Sequence, residues 1–295
     1  MKRIHFLLLL LPALFLSCSE PLHFAPQDDR VVVEAYLYAG EPIADFRLAS
    51  TIGLGSVDTL APPINDAQVQ LIKNNICYVL TPWNSKGYYT YSERIYTPYD
   101  CPTADCIGEN TLSIMAGDHF RLEVLYYDKV ASAETVVPEK AKNLRLNADG
   151  TVIFISPSSY TGDWQTQPGG LFVDDSVIAA TFSWEDDGRS WYYVTLENTD
   201  IIPELIDPSS SVAYPGKFVS NPFTGGNFPI GMKNFTHYGR HRFTVYSINR
   251  EYVNLYLSRN QDTRDLNEPL SNMENGLGIF TAFNTTKIDF YVEPQ

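Results

Sequence analysis

Short runs of β-branched and aromatic residues, alternating with polar ones and bounded by turn-forming residues, set the rhythm of most of this chain. The first is Val31-Val32-Val33-Glu34-Ala35-Tyr36-Leu37-Tyr38, which no helix cap precedes. Dense β-branched and aromatic side chains with period-two alternation fit a pleated, half-buried surface, so the run predicts a strand. Further strands are predicted over 45–51, 67–73, 76–81, 88–92, 119–127 and 131–137. Between them lie Gly53 and Gly55, Pro62-Pro63, Lys73-Asn74-Asn75, Ser85-Lys86-Gly87 and Ala116-Gly117-Asp118, all residues that favour turns. Strands this short at this spacing predict a β-sandwich.

Pro138-Glu139-Lys140-Ala141-Lys142 is polar and opens on a residue that cannot donate to a strand ladder, so a domain boundary is placed there. Beyond it, 179–185 and 190–198 predict a hairpin turning at Asp186-Asp187-Gly188-Arg189. Phe182 and Trp184 would share one face, with Tyr193 and Leu196 packing nearby. The stretch 201–231, rich in proline and glycine, reads as a long connection, either a loop with functional freedom or a variable insertion. One segment has helical spacing: Tyr252, Val253, Tyr256 and Leu257 form an apolar stripe after a capping residue, which predicts a helix over 249–259. The expected architecture is mainly β, with tandem immunoglobulin- or fibronectin-like β-sandwich domains at 30–138 and 139–295 and one short helix near the C-terminus.

The first 29 residues do not follow this rhythm. Met1-Lys2-Arg3 is followed by an apolar run to Leu16 and then Ser17-Cys18. A basic start with an apolar core of about a dozen residues fits a secretory signal and falls short of the roughly 18 residues that span a bilayer. Phe15-Leu16-Ser17-Cys18 resembles the bacterial lipobox, so residues 1–17 are expected to be removed and Cys18 to carry acyl chains. Residues 18–29, with two prolines and no periodicity, read as a tether. No later apolar run has the length to cross a membrane as a helix, which leaves the lipid as the expected attachment.

Charge and cysteines narrow the picture further. Loss of Lys2 and Arg3 takes the net charge from −14 to −16, which disfavours nucleic acid as a partner and disfavours electrostatic docking on anionic lipid. After Cys18 there remain Cys77, inside the apolar run Ile76-Cys77-Tyr78-Val79-Leu80, and the pair in Cys101-Pro-Thr-Ala-Asp-Cys106. The pair is expected to close a small disulfide loop contributing roughly 2 kcal/mol, and Cys77 to behave as a buried small hydrophobe.

Catalytic signatures are missing from the sequence: it has no nucleophile elbow, no His-Glu-x-x-His, no phosphate-binding glycine loop and no calcium-loop series. No catalytic residue, metal or cofactor is therefore expected. His237 and His241 stand four apart, a spacing that could hold a metal on a helix, but Gly239 and strand-like flanks favour packing histidines. The acidic groups Asp174-Asp175, Glu185-Asp186-Asp187 and those between 262 and 268 read as solvated turns. Trp83, Trp164 and Trp191 are candidate stacking platforms for a ligand such as a glycan.

Several segments taken in order resemble a known family. They are the 31–37 strand soon after the anchor, Pro62 to Val69, and Ile114-Met115-Ala116-Gly117-Asp118-His119-Phe120-Arg121-Leu122. The strand and helix from Tyr246 to Tyr256 and Asn272-Met273-Glu274-Asn275-Gly276-Leu277-Gly278-Ile279-Phe280-Thr281-Ala282-Phe283 complete the set. Together they resemble the Bacteroidetes lipoproteins catalogued as domain of unknown function 4249. The resemblance implies an outer-membrane lipoprotein, commonly encoded beside a TonB-dependent receptor, and supplies no catalytic residues. The expected role is a non-enzymatic accessory or ligand-binding partner of such a receptor in nutrient uptake. A glycan-binding or glycan-cleaving surface protein and a structural or adhesive envelope component are the alternatives. Asp58-Thr59-Leu60 and Asp175-Ser176-Val177 resemble the O-glycosylation sequon of that phylum, making Thr59 and Ser176 candidate modification sites. Gly276 to Phe283 is expected to be structural, its glycines allowing close backbone approach over Phe280.

Overall fold

The computed structural model describes residues 30–52, 60–91, 112–146, 152–155, 178–207, 217–258 and 271–295. Cys18, Thr59, Cys101, Cys106, Trp164 and Ser176 lie outside them. The described chain is mainly β, as the alternation predicts, with sixteen strands and one α-helix.

The N-terminal strands are β1 (Val31–Tyr38), β2 (Asp45–Ser50), β3 (Gln68–Lys73), β4 (Ile76–Pro82), β5 (Tyr88–Thr90), β6 (His119–Tyr126) and β7 (Lys129–Val136). Each follows its predicted run to within a few residues. Asn74 and Asn75 both adopt positive φ, 51° and 61°, so the two-residue turn between β3 and β4 is of the type whose twist matches the flanking strands.

The long C-terminal strand β16 (Leu277–Pro294) organises the whole molecule. Its first half pairs in parallel with β1, from Val32↔Leu277 to Tyr38↔Phe283. From Phe283 onward it pairs antiparallel with β15 (Gly239–Ile248). The ladder continues from β1 through β2, β5, β4, β3 and β6 to β7, which bridges the segment just before β16 through Ser132↔Glu274. In the other direction β15 pairs with β11 (Trp191–Asn198), which is edged by β12 (Lys217–Val219) and β13 (Phe223–Thr224). The short β9 (Val152–Ile155) runs parallel to the end of β16. A second sheet of three strands, β8 (Lys142–Leu146), β10 (Ile178–Glu185) and β14 (Asn227–Gly231), completes the set.

Two large cores, and a smaller cluster beneath the helix, follow from this path among the described residues. One gathers residues between Val31 and Val137 together with Met273, Phe280 and Ala282. The other gathers residues between Ala141 and Val292, and lies between the three-stranded sheet and the β11–β15–β16 layer. At its centre the Phe182 and Phe243 rings stack 3.8 Å apart at 9°, with Phe290 5.4 Å from Phe182. β16 contributes to both cores. Asn284 donates to the Pro138 carbonyl at 2.9 Å and Thr286 to that of Ala141 at 2.7 Å, tying the polar 138–141 segment to the same strand.

Two sequence expectations change here. The 179–185 and 190–198 runs are strands, β10 and β11, but not a hairpin: they belong to different sheets. Asp187 Oδ1 accepts the amides of Arg189 and Ser190 at 2.9 and 2.8 Å, and the turn so formed carries the chain from one layer to the other. Leu196 joins the Phe182 core as expected, whereas the neighbour of Trp184 is Tyr192, at 5.4 Å, and Tyr193 points to the opposite face. The 201–231 stretch is not one long loop either, because β12, β13 and β14 lie within it.

The helix, α1 (Arg250–Ser258), matches the predicted span. Glu251 in its first turn complements the positive end of the helix dipole. Val253 is buried, Tyr252 and Tyr256 are half-buried and Leu257 is exposed, so only part of the apolar stripe is covered. The helix packs on the outer face of the sheet against Tyr36, Tyr38, Tyr193, Tyr246 and Phe283.

Candidate binding surface

At the far end of β16 the chain builds a rigid, apolar loop. β11 ends at Asn198, whose side-chain amide donates to the Tyr238 carbonyl at 2.8 Å and accepts from the Asp200 amide at 2.9 Å. The Thr199 amide donates to the Arg240 carbonyl, and the Arg240 amide donates back to Asp200 Oδ2, both at 2.9 Å. Gly239 sits at φ +94°, a conformation L side chains rarely adopt, and a Cβ there would fall 1.9 Å from Asp200 Oδ2. On the return leg the Tyr238 amide bonds the Glu204 carbonyl at 2.8 Å, the Ile206 amide bonds that of Thr236 at 3.1 Å, and Leu205 bridges His237. Ile206 is buried in the core.

Both legs are thus held by backbone and carboxylate hydrogen bonds, and the crest between them is Ile201-Ile202-Pro203. Ile201 is 99% and Ile202 88% exposed. Single exposed hydrophobes are ordinary; here two adjacent aliphatic side chains stand together at the crest of a loop held on both legs. Burying both against a partner would contribute roughly 4 kcal/mol, or about a thousand-fold in affinity. Leu205, Phe154 of β9 and Tyr291 of β16 add exposed apolar surface at the same end of the sheet. The Arg240 guanidinium lies 5.7 Å over the Tyr291 ring and donates to its hydroxyl at 3.2 Å.

The sequence-derived candidates fall in different places. Trp83 is 60% exposed on the β4–β5 hairpin with its ring 6.3 Å from that of Tyr88. Asn65 holds that hairpin by accepting the Gly87 amide at 2.9 Å. Trp191 lies half-buried beneath α1 with the Arg250 guanidinium 5.7 Å over its ring. The tyrosines beside it form a packed layer rather than a reactive one. Tyr193 and Tyr246 stack 4.3 Å apart, and burial raises the phenols of Tyr38 and Tyr193 far above their ordinary range.

His241 is buried between Phe235 and Phe290, each ring 5.7 Å away, with Nδ1 3.1 Å from the Gly239 carbonyl oxygen. Burial lowers its pKa and that of His237. Among the described residues no group of three or more His, Cys, Asp or Glu side chains converges. Cys77 is half-buried, its thiol pushed up to about 11 by burial and by Glu123, and it donates to Gln70 Oε1 at 3.2 Å. Among the described residues no helix is long and apolar enough to cross a membrane.

Sequence reasoning placed Ile201 and Ile202 at the start of a connection without singling them out. Isoleucine reads as core in any linear pattern, and only the loop's anchoring reveals that these two face outward.

These features define a mainly β protein whose distinctive surface is a rigid apolar crest. The chain belongs to the family described as Domain of unknown function (DUF4249), whose model matches residues 20–289. No curated protein matches it.

Proposed function

We propose that this chain is a non-enzymatic outer-membrane lipoprotein of Bacteroidetes type, anchored through Cys18, which docks on a TonB-dependent receptor and assists nutrient uptake. Its body is read as tandem β-sandwiches of the immunoglobulin or fibronectin kind, a reading supported by two separate cores joined by one long strand. The observation that carries the docking role is the Ile201–Ile202 crest, exposed yet fixed on both legs by hydrogen bonds. Such a crest needs no rearrangement before binding, which reduces the entropic cost of association. The lipobox-like Phe15-Leu16-Ser17-Cys18 supports the membrane address, and the resemblance of the segments taken in order supports the class of partner.

Affinity purification from native membranes tests the reading. A TonB-dependent receptor should accompany the protein, and repeated recovery of the protein alone would count against the role.

The second reading is a glycan-binding protein, favoured by Trp83 standing exposed beside Tyr88 on a hydrogen-bonded hairpin. A glycan array with Trp83→Ala as the comparison tests it, and reducing-sugar release would separate cleavage from binding.

A further inference from the structure

Residues 274–277 close the path of strands from β1 to β7 into a ring. On one side the Ser132 amide of β7 donates to the Glu274 carbonyl at 3.1 Å, and the Glu274 amide donates to the Ser132 carbonyl at 2.7 Å. On the other side Leu277 begins the parallel pairing with β1, opposite Val32. Between these two anchors stand Asn275 and Gly276, the one Asn-Gly pair in the sequence. Asn275 is exposed and lies at φ +55°, and its side-chain amide donates to the Val130 carbonyl at 3.3 Å. Gly276 is the tight point of this seam: a Cβ there would fall 2.9 Å from the Ala131 Cβ and 3.2 Å from the Val31 carbonyl oxygen. A chain held at 274 and again at 277 has no slack for an added main-chain atom.

Asparagine is chemically labile, and most so before glycine, which puts no side chain beside the attacking nitrogen and leaves the backbone free to bend toward the side-chain amide. The Gly276 amide nitrogen attacks Asn275 Cγ: the N–Cγ bond forms, the Cγ–Nδ2 bond breaks, and the amide proton leaves with Nδ2 as ammonia. Water then opens the five-membered imide. Opening at the Asn275 main-chain carbonyl gives isoaspartate, whose main chain runs through Cβ and Cγ and is one atom longer. Opening at Cγ gives aspartate, which has lost the donor to Val130. We propose that Asn275-Gly276 is a modification site that acts as a one-way latch: it deamidates when β7 and residues 274–277 part, and the isoaspartate formed keeps them from closing again. In the closed seam Asn275 Nδ2 is held on Val130 and the main chain is held at Glu274 and Leu277, so the rotation that brings the Gly276 nitrogen onto Cγ requires local opening. After reaction the longer main chain cannot keep both the Ser132 pair and the Val32↔Leu277 register, and the Ser132 backbone groups lose their partners.

Isoaspartate mapping tests the latch. The purified protein is held in mildly alkaline buffer, folded in one sample and unfolded by guanidinium in the other. The peptide carrying Asn275 is followed by mass spectrometry, with electron-transfer fragmentation to separate isoaspartate from aspartate. The folded sample is expected to convert measurably, at a rate at least about tenfold below that of the unfolded one. In the converted fraction the Ser132 amide should exchange its hydrogen at least about tenfold faster than in fresh protein, while the amides of β15 keep their protection. Asn275→Gln keeps the amide donor but would have to close a slower, six-membered imide, so it should gain no mass when folded and should keep Ser132 protected. Equal conversion rates in the folded and unfolded samples would overturn the proposal, as would a folded protein that never converts. A converted fraction whose Ser132 amide stays as protected as in fresh protein would overturn it too. So would loss of that protection in aged Asn275→Gln, which would assign the opening to other damage.

Discussion

Gly278 lies so close to Val33 that a Cβ on the glycine would stand 1.9 Å from the Val33 carbonyl oxygen. The contact falls where β1 and β16 run side by side in parallel, and Gly278 itself holds φ +105°. Gly278→Ala therefore meets both a backbone clash and a disfavoured conformation. Its expected cost is about 3 kcal/mol or more in urea unfolding. Gly117→Ala is the comparison, because Gly117 also has positive φ, +81°, but faces open space. It should cost only about 1–2 kcal/mol. Equal effects would mean that the β1–β16 approach is not tight.

Asn272 serves the same stretch of β16 as Gly278. Beyond Phe283 the second edge of β16 is covered by β15, but at Phe280 it is not. There the Asn272 amide donates to the Phe280 carbonyl at 2.7 Å and accepts the Phe280 amide at 3.0 Å, replacing a neighbouring strand with one side chain. Asn272→Leu leaves both groups without these partners, and a loss of about 2 kcal/mol in urea unfolding is expected. Asn272→Asp keeps the acceptor and should fall between the two.

The strands were legible in the sequence and their partners were not. Period-two alternation in 31–38 or 119–127 reports that one face is buried, which is a local property. The parallel pairing of β1 with β16 joins opposite ends of the chain, and no local pattern encodes it. The Gly276–Phe283 segment came nearest, because paired glycines demand close backbone approach even before the other strand is known. The error at Asp186–Arg189 has the same origin. Asp187 bonding two following amides makes a turn whether the next strand pairs with the last or crosses to the other sheet. The candidate surface was the least legible part, since exposure of Ile201 and Ile202 depends on bonds to Tyr238, Arg240 and Thr236, residues far away in sequence.

Buried His241 links stability to pH. Its folded pKa is lowered below 6.5 by burial, so the unfolded chain takes up a proton first as pH falls. Stability should be full above about pH 6.5 and decline as pH drops from there toward the folded pKa. His237, lowered for the same reason, acts in the same direction. His241→Phe fills the site between Phe235 and Phe290 with a ring that does not titrate. The Tm difference between pH 7.5 and pH 5.5 should be smaller in this variant than in the wild type. An unchanged difference would place the linkage elsewhere.

Replacement of the crest should leave the fold untouched, because both isoleucines are exposed and the legs are held by other residues. Ile201→Asp with Ile202→Asp is expected to shift unfolding by no more than about 0.5 kcal/mol.

That variant tests the proposed docking through Ile201 and Ile202 most directly. Wild-type protein and the Ile201→Asp, Ile202→Asp double variant would be purified in parallel from native membranes at matched expression. A TonB-dependent receptor is expected with the wild type and is expected to be lost from the variant. Equal recovery of the receptor with both, or with neither, would contradict that docking.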